Sequence, residues 1–501
     1  MWLDRILDRQ ATRTPDAVAL RDVRRELSWQ GLRREVYNLA RQLADRFPAG
    51  ERVLVVSDNR VEVIETYLAC GVAGLVAVPV NANLADAEIE YIIGYTGPSL
   101  AVAQESSRKR LHALSPDLPS MAIEDLAALP GDGTPVADRQ PTLDDPFAIL
   151  HTSATTGHPK GAVIDHRYLQ TNVLSWLGDV RPAPGGSYLN ASPLFHGSMV
   201  IALNNLAAGV TVGVLDRFTP QGCLTALAQW RVQVVLLVPS MIRLLLQSRA
   251  LESADLSCVE LILHTAEPMP ATLTDEAARA FRVPLLNVYG ITEGGGPVAT
   301  CRSDEAPRDA RFPGATCAGV PMLGVDLRVL REDGELAAAG EIGEVCLHGD
   351  GIMREYWRRP EATAQAIRGG WLHTGDLGYL DDDGRLWLVD RRTDLILRGG
   401  QNVYPAEIER VLRASPQVAD VAVVAAPSPT WGHTPWAFVQ PRDPDAFDER
   451  ELLDRAVGEL ASYKRPSRFV PVETIPRNPS GKLLRRLLRE EAVRIMDEER
   501  R

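Results

Sequence analysis

Between residues 50 and 290, short runs of apolar, mostly β-branched residues alternate with segments of helical pattern, and this alternation constrains the fold most tightly. The runs VLVVS (53–57), VAVPV (76–80), TVGVL (211–215), VQVVLLV (232–238), VELILHT (259–265) and PLLNVYG (284–290) read as strands. Segments 61–72, 166–177, 219–230 and 270–281 read as helices between them. Such alternation builds parallel α/β layers. Ligands of such sheets sit beyond the carboxyl ends of the strands.

From about 311 to 390 the pattern turns β-rich, with hairpin-type turns at Asp333-Gly334 and Asp383-Gly384. After Arg391 a smaller unit reads as a helix near 405–413, strands at 418–425 and 434–440, a helix near 448–460 and a basic tail. The Pro- and Asp-rich segment 104–146 reads as a surface excursion. With 501 residues, about three domains are expected at roughly 150 residues each.

The net charge of −12 argues against a nucleic-acid partner, because phosphate contacts need a broad face of Lys and Arg. The cysteines Cys70, Cys223, Cys258, Cys301, Cys317 and Cys346 form no CxxC pair, which fits a reducing, cytoplasmic compartment better than a disulfide framework. The uncharged run Tyr67 to Ala85 approaches membrane-span length, but its glycines, Pro79 and asparagines read as a buried helix followed by a strand. No membrane span is expected.

The richest chemistry lies in Thr152–Gly161, TSATTGHPKG, between runs that read as strands at 148–152 and 161–165. Thr152, Ser153, Thr155 and Thr156 offer hydroxyl donors to phosphate oxygens, and Lys160 offers a positive charge. Gly157 and Gly161 let backbone N–H groups approach an anion. The spacing is not that of a Walker loop.

This run resembles the phosphate loop of the adenylate-forming superfamily, which includes acyl-CoA synthetases, luciferases and peptide-synthetase adenylation domains. It departs from that loop at Ala154, where glycine is usual, and at His151, where an aromatic residue is common. Further segments follow in the family's order. Asn287-Val288-Tyr289-Gly290-Ile291-Thr292-Glu293 resembles its YGxTE segment. There Tyr289 can stack on adenine, Thr292 can bond phosphate, and Glu293 is a hard oxygen ligand suited to Mg²⁺. Thr265-Ala266-Glu267-Pro268 stands in place of the glycine-rich adenine turn, so Ala266 and Glu267 are expected at the base. Trp371–Gly378 resembles the TGD segment, with Asp376 for the ribose hydroxyls. Asp390–Asp394 resembles the inter-domain junction, with Arg391 as a forked donor to ribose oxygens. Arg398-Gly399-Gly400 resembles the hairpin that approaches the thiol acceptor, and Ser480-Gly481-Lys482 the mobile lysine motif.

The resemblance implies an α/β fold with a large N-terminal domain (1–391) of layered α/β subdomains plus a β-rich subdomain. A hinge at 392–394 would lead to a small mobile α+β domain (395–501). The pivot near Thr393 departs from the Asp or Lys usual there. The implied chemistry is ATP- and Mg²⁺-dependent activation of a carboxylic acid as acyl-AMP, followed by thioester formation with CoA. Catalytic roles fall to Lys482, Glu293, Thr152 and His196. The nucleotide site would comprise Thr152, Ser153, Thr155, Thr156, Gly157, Lys160, Ala266, Glu267, Asn287, Tyr289, Gly290, Thr292, Asp376, Arg391 and Lys482.

The segment Pro193–Gly197 resembles the acyl-pocket wall, with His196 as its gate. Amino-acid-activating relatives place an aspartate in an FDxS context. This chain has Phe195-His196-Gly197-Ser198, which favours an acid without an α-amine. His196, Gly197, Met199, Val238, Gly294 and Gly295 are the expected pocket residues. The three glycines after Glu293 either leave room or permit backbone approach. An aryl or a medium or long acyl group fits that reading. Carrier-protein phosphopantetheine is the rival acceptor, and a non-catalytic nucleotide-binding protein is the rival class. A monomer or homodimer is expected.

Overall fold

The computed structural model describes residues 2–152, 159–266, 269, 271–307, 311–312, 314–391, 394–398, 401–428, 430–478, 481 and 483–499. The alternating region folds into two sheets. One runs in the order Glu355–Tyr356, Lys160–Asp165, Pro146–Thr152, Val76–Val80, Arg52–Val56, Leu100–Ala103, Ser120–Ala122. From Pro146–Thr152 onward its pairings are parallel. The helix Val61–Ala73 is buried throughout and ends on Gly74 in the left-handed region, so the uncharged run is a helix and a strand. Among the described residues no helix is long and apolar enough to cross a membrane.

The second sheet has a parallel core containing Ser187–Asn190, Thr211–Val214, Val234–Leu237, Leu261–His264 and Leu285–Ile291. Its two faces carry separate apolar clusters: Leu236, Leu263 and Val288 on one, Leu237, Ile262 and Leu285 on the other. Side-chain alternation along each strand makes that division. Past Leu285–Ile291 the pairing turns antiparallel, through Gly296–Arg302, Thr316–Pro321, Leu386–Arg391, Trp371–Leu380 and Gly343–His348. The β-rich region is thus an edge-to-edge continuation of the α/β sheet, and the junction falls at the strand carrying Tyr289.

Two expectations need correction. Segment 104–146 is more than a surface excursion. It contributes the helix Glu105–Leu114 and the edge strand Ser120–Ala122, and it is tied down where Arg41 donates to the Pro135 carbonyl at 2.7 Å. The basic tail is the helix Arg485–Glu499, whose Leu488 and Ala492 pack on Val424 and Phe438 of the C-terminal sheet. That sheet pairs Val418–Ser428, Gly432–Pro441, Ile396–Arg398, Gln401–Val403 and Arg468–Pro471.

Candidate active site

The strand Leu285–Ile291 delivers the first group of candidate residues. A Cβ on Gly290 would lie 1.8 Å from the Gly296 carbonyl oxygen, so only glycine lets the two strands close here. Just before it, Tyr289 is buried and donates its hydroxyl to Asp376 Oδ2 at 2.7 Å. Arg391 Nε lies 3.0 Å from Asp376 Oδ1. Asp376 follows a corner in which Thr374 donates to the Val345 carbonyl at 2.7 Å and accepts the Asp376 N–H at 3.0 Å. Burial first, and Asp376 second, push the Tyr289 hydroxyl well above its ordinary range, while Asp376 holds the Arg391 guanidinium up. Each carboxylate oxygen has two lone pairs, so Asp376 keeps accepting capacity for a ligand diol. Tyr289 and Arg391, expected to meet the nucleotide, also fix Asp376, the expected ribose acceptor.

A second group gathers where that strand ends. Tyr356 donates to Glu293 Oε1 at 2.8 Å, and the Lys160 ammonium lies 5.0 Å from the centre of the Tyr356 ring. The expected metal ligand and the expected phosphate lysine therefore meet at one aromatic residue. Glu293 is also anchored through its carbonyl, which accepts the Met353 N–H at 2.8 Å. Tyr168 donates to the Thr292 carbonyl at 3.1 Å. A half-buried, oriented carboxylate is a donor that Mg²⁺ accepts, since this ion commonly takes one or two carboxylates beside phosphate oxygens. Thr152 and Lys160 pair directly across the antiparallel hairpin, which holds the two ends of the phosphate loop together. Ser153, Thr155, Thr156 and Gly157 lie outside the described residues, as does Ala154.

At the adenine turn Ala266 adopts φ 74°, the left-handed conformation glycine usually supplies. Its predecessor Thr265 donates to the Val288 carbonyl at 2.7 Å, tying the turn to the Tyr289 strand. Asn287 donates to the Cys317 carbonyl at 2.8 Å. Glu267 lies outside the described residues.

On the acyl side, the glycine run serves close packing and leaves no room at its first two positions. A Cβ on Gly294 would meet Leu347 at 2.7 Å, and one on Gly295 would meet the Gly351 carbonyl at 2.3 Å. His196 stacks edge-on against Phe195 at 4.6 Å, directly before Gly197 and the helix Ser198–Ala207. Met199 and Val238 are buried. The departure at His151 is a buried imidazole, held down at about 4 by desolvation and then by His196.

In the C-terminal unit, Arg398 donates to the carbonyls of Tyr463 and Arg465, both at 3.0 Å. Asp394, at the end of the expected hinge, pairs with Arg489 and with Arg485 at 3.4 Å. Gly399, Gly400, Thr393 and Lys482 lie outside the described residues. Sequence reasoning missed Tyr356 and Tyr168, and placed Thr374 in its segment without a role. Tyr356 stands 63 positions from the residue it orients, in a segment with no pattern of its own.

The AMP-binding enzyme family matches residues 7–357, and the AMP-binding enzyme C-terminal domain matches residues 407–482. Feruloyl-CoA synthase of Amycolatopsis sp is 35% identical over 95% of this chain and 96% of its own length. The fatty acid–[acyl-carrier-protein] ligase ScoC of Streptomyces coeruleorubidus is 34% identical over 93% of this chain and 92% of its own. Among solved structures, o-succinylbenzoate coenzyme A synthetase (MenE) of Bacillus subtilis, in complex with ATP and magnesium ion, superposes with a TM-score of 0.84. It shares 28% identity across 96% of this chain and 98% of that one. ATP, Mg²⁺ and CoA are accordingly the cofactors and co-substrates of the reaction. Sheet order, strand-end carboxylates and these matches agree that the chain belongs to the adenylate-forming AMP-binding enzyme family, as an AMP-forming acid–thiol ligase.

Proposed function

We propose that this chain activates a carboxylic acid lacking an α-amine, with an aryl or a medium to long acyl group, and passes it to CoA. The observation that carries the adenylation half is the convergence of Glu293 and Lys160 on Tyr356 at the mouth of the phosphate loop. A free carboxylate resists nucleophiles because of its charge and its poor leaving group. Its attack on the α-phosphorus of ATP, with departure of pyrophosphate, removes both obstacles. Such transfers rest on positioning and charge compensation rather than covalent help from the protein. Glu293 would hold Mg²⁺, which when bound would supply Lewis-acid neutralisation of phosphate oxygens. Lys160 and the hydroxyls of Thr152, Ser153, Thr155 and Thr156 hold the phosphates. Asp376, braced by Tyr289 and Arg391, takes the ribose. Ala266, Glu267 and Asn287 frame the base. Lys482 bridges the acid carboxylate and the α-phosphate.

For the second half, residues 395–501 turn about 392–394 relative to 1–391, withdrawing Lys482 and bringing Arg398-Gly399-Gly400 to the thiol. His196 gates the passage from the carboxylate site to a pocket bounded by Met199 and Val238. The histidine at this point, in place of an ammonium-binding aspartate, supports an acid without an amine. Similarity to feruloyl-CoA synthase supports CoA as acceptor, and similarity to ScoC keeps a carrier-protein thiol as the second reading.

The test is a panel of aryl, short, medium and long acids, with matched amino acids, assayed for pyrophosphate release with ATP and Mg²⁺. CoA and a phosphopantetheinylated carrier protein are then compared as acceptors. Release with amine-free acids and faster turnover with CoA is expected. Preference for amino acids, or turnover with carrier protein alone, contradicts the reading.

A further inference from the structure

Glu344, Cys346 and His373 share one face of two antiparallel strands, Gly343–His348 and Trp371–Leu380. Cys346 stands directly across from His373 in the register, and the ladder shifts between Glu344 and Cys346. His373 Nδ1 lies 3.0 Å from Glu344 Oε2 and 3.3 Å from Cys346 Sγ. All three donor atoms lie within 4.8 Å of one another.

Carboxylate, imidazole and thiolate together are the donor set of a borderline-soft ion, whereas Mg²⁺ prefers oxygen alone. Zinc bonds of about 2.0–2.3 Å in a tetrahedron place neighbouring donors about 3.3–3.7 Å apart. The two His373 distances need a slight opening to reach that spacing, and the Glu344 and Cys346 donors lie within 4.8 Å of each other. Cys346 is fully covered, while the Glu344 and His373 side chains are each 14% exposed, which leaves the remaining coordination position toward solvent. The other oxygen of Glu344 accepts the Gly375 N–H at 3.2 Å and so fixes the carboxylate's orientation, as outer contacts of metal ligands do. Arg368, 3.5 Å from Glu344 Oε2 and more than half exposed, is a cation that can swing into water when a metal arrives.

We propose that Glu344, Cys346 and His373 form a binding site for a divalent cation of the zinc class, separate from the magnesium position at Glu293. Thiolate ligation by Cys346 exchanges its proton for the ion.

The probe is Co²⁺ titrated into the full chain without ATP or Mg²⁺. A cobalt–thiolate bond adds a near-ultraviolet charge-transfer absorption that carboxylate and imidazole ligands do not produce. A single Co²⁺ per chain with that absorption, displaced by Zn²⁺, is expected. Cys346→Ser should abolish the absorption, and Cys301→Ser should keep it. His373→Gln, at a partly exposed position, should keep the absorption but weaken binding about tenfold or more. Should Cys346→Ser fail to fold by circular dichroism, the His373→Gln affinity decides. No absorption in the parent, its survival in folded Cys346→Ser, its loss in Cys301→Ser, or unchanged affinity in His373→Gln each overturns the site.

Discussion

In the large domain, Asp376 is held from both sides, by Tyr289 at 2.7 Å and Arg391 at 3.0 Å. In the C-terminal unit, Arg398 gives its donors to carbonyls of its own unit, and Asp394 is clasped by arginines of the last helix. The first arrangement is set for a ligand, with spare lone pairs and fixed geometry. The second is engaged with groups of its own unit. Preorganised polar groups lower the reorganisation a reaction must drive. Groups that serve two half-reactions in turn are better carried on a part that moves. Under the proposed function, nucleotide recognition falls to residues 1–391 and the choice of half-reaction to residues 395–501.

That division can be broken in several places. Lys482→Ala should lower adenylation about a thousandfold, the scale of losing a charge aimed at the transition state. Thioester formation from a supplied acyl adenylate should stay within a few-fold of the parent. Rapid-quench assays of each half-reaction check this, and equal loss of both steps would break the division. Asp376→Ala should cost about a hundredfold in kcat/KM for ATP, since two hydrogen bonds to a charged group are lost. The loss should appear chiefly in KM for ATP, and Asp376→Asn should recover part of it. Tyr356→Phe keeps the ring beside Lys160 but removes the donor to Glu293. It should raise the Mg²⁺ concentration for half-maximal rate about tenfold, as loss of outer support for a metal ligand does. An unchanged magnesium curve would separate Tyr356 from the metal site. Smallest of all, Ala266→Gly relieves the left-handed alanine, and a gain of about 1 kcal/mol in a denaturant titration is expected with little change in rate.

Much of the frame was legible because burial writes itself into periodicity. The helix expected at 270–281 is found at Ala271–Phe281, and the strand run 76–80 is Val76–Val80. What stayed hidden depends on contacts between distant residues. The last helix was obscured because its charged residues outnumber those, such as Leu488 and Ala492, that meet the sheet. The strand at Ser120–Ala122 is only three residues long and owes its place to Leu100–Ala103 beside it. For the site, the residues bearing chemistry lay in recognisable segments, whereas Tyr356 and Tyr168, which orient them, did not. A tyrosine at 356 carries no mark of the carboxylate it secures. The glycines after Glu293 show the same limit, since only the structure fills their space with Leu347 and the Gly351 carbonyl.

The central claim is that one chain performs two separable steps, acyl adenylation and then thiol capture. It is tested most directly by mixing a stoichiometric amount of enzyme with ATP, Mg²⁺ and an accepted acid in the absence of any thiol. A burst of a single pyrophosphate per site is expected, with the acyl adenylate retained and no AMP released until CoA is added. Formation of ADP, or no pyrophosphate until CoA is present, would contradict it.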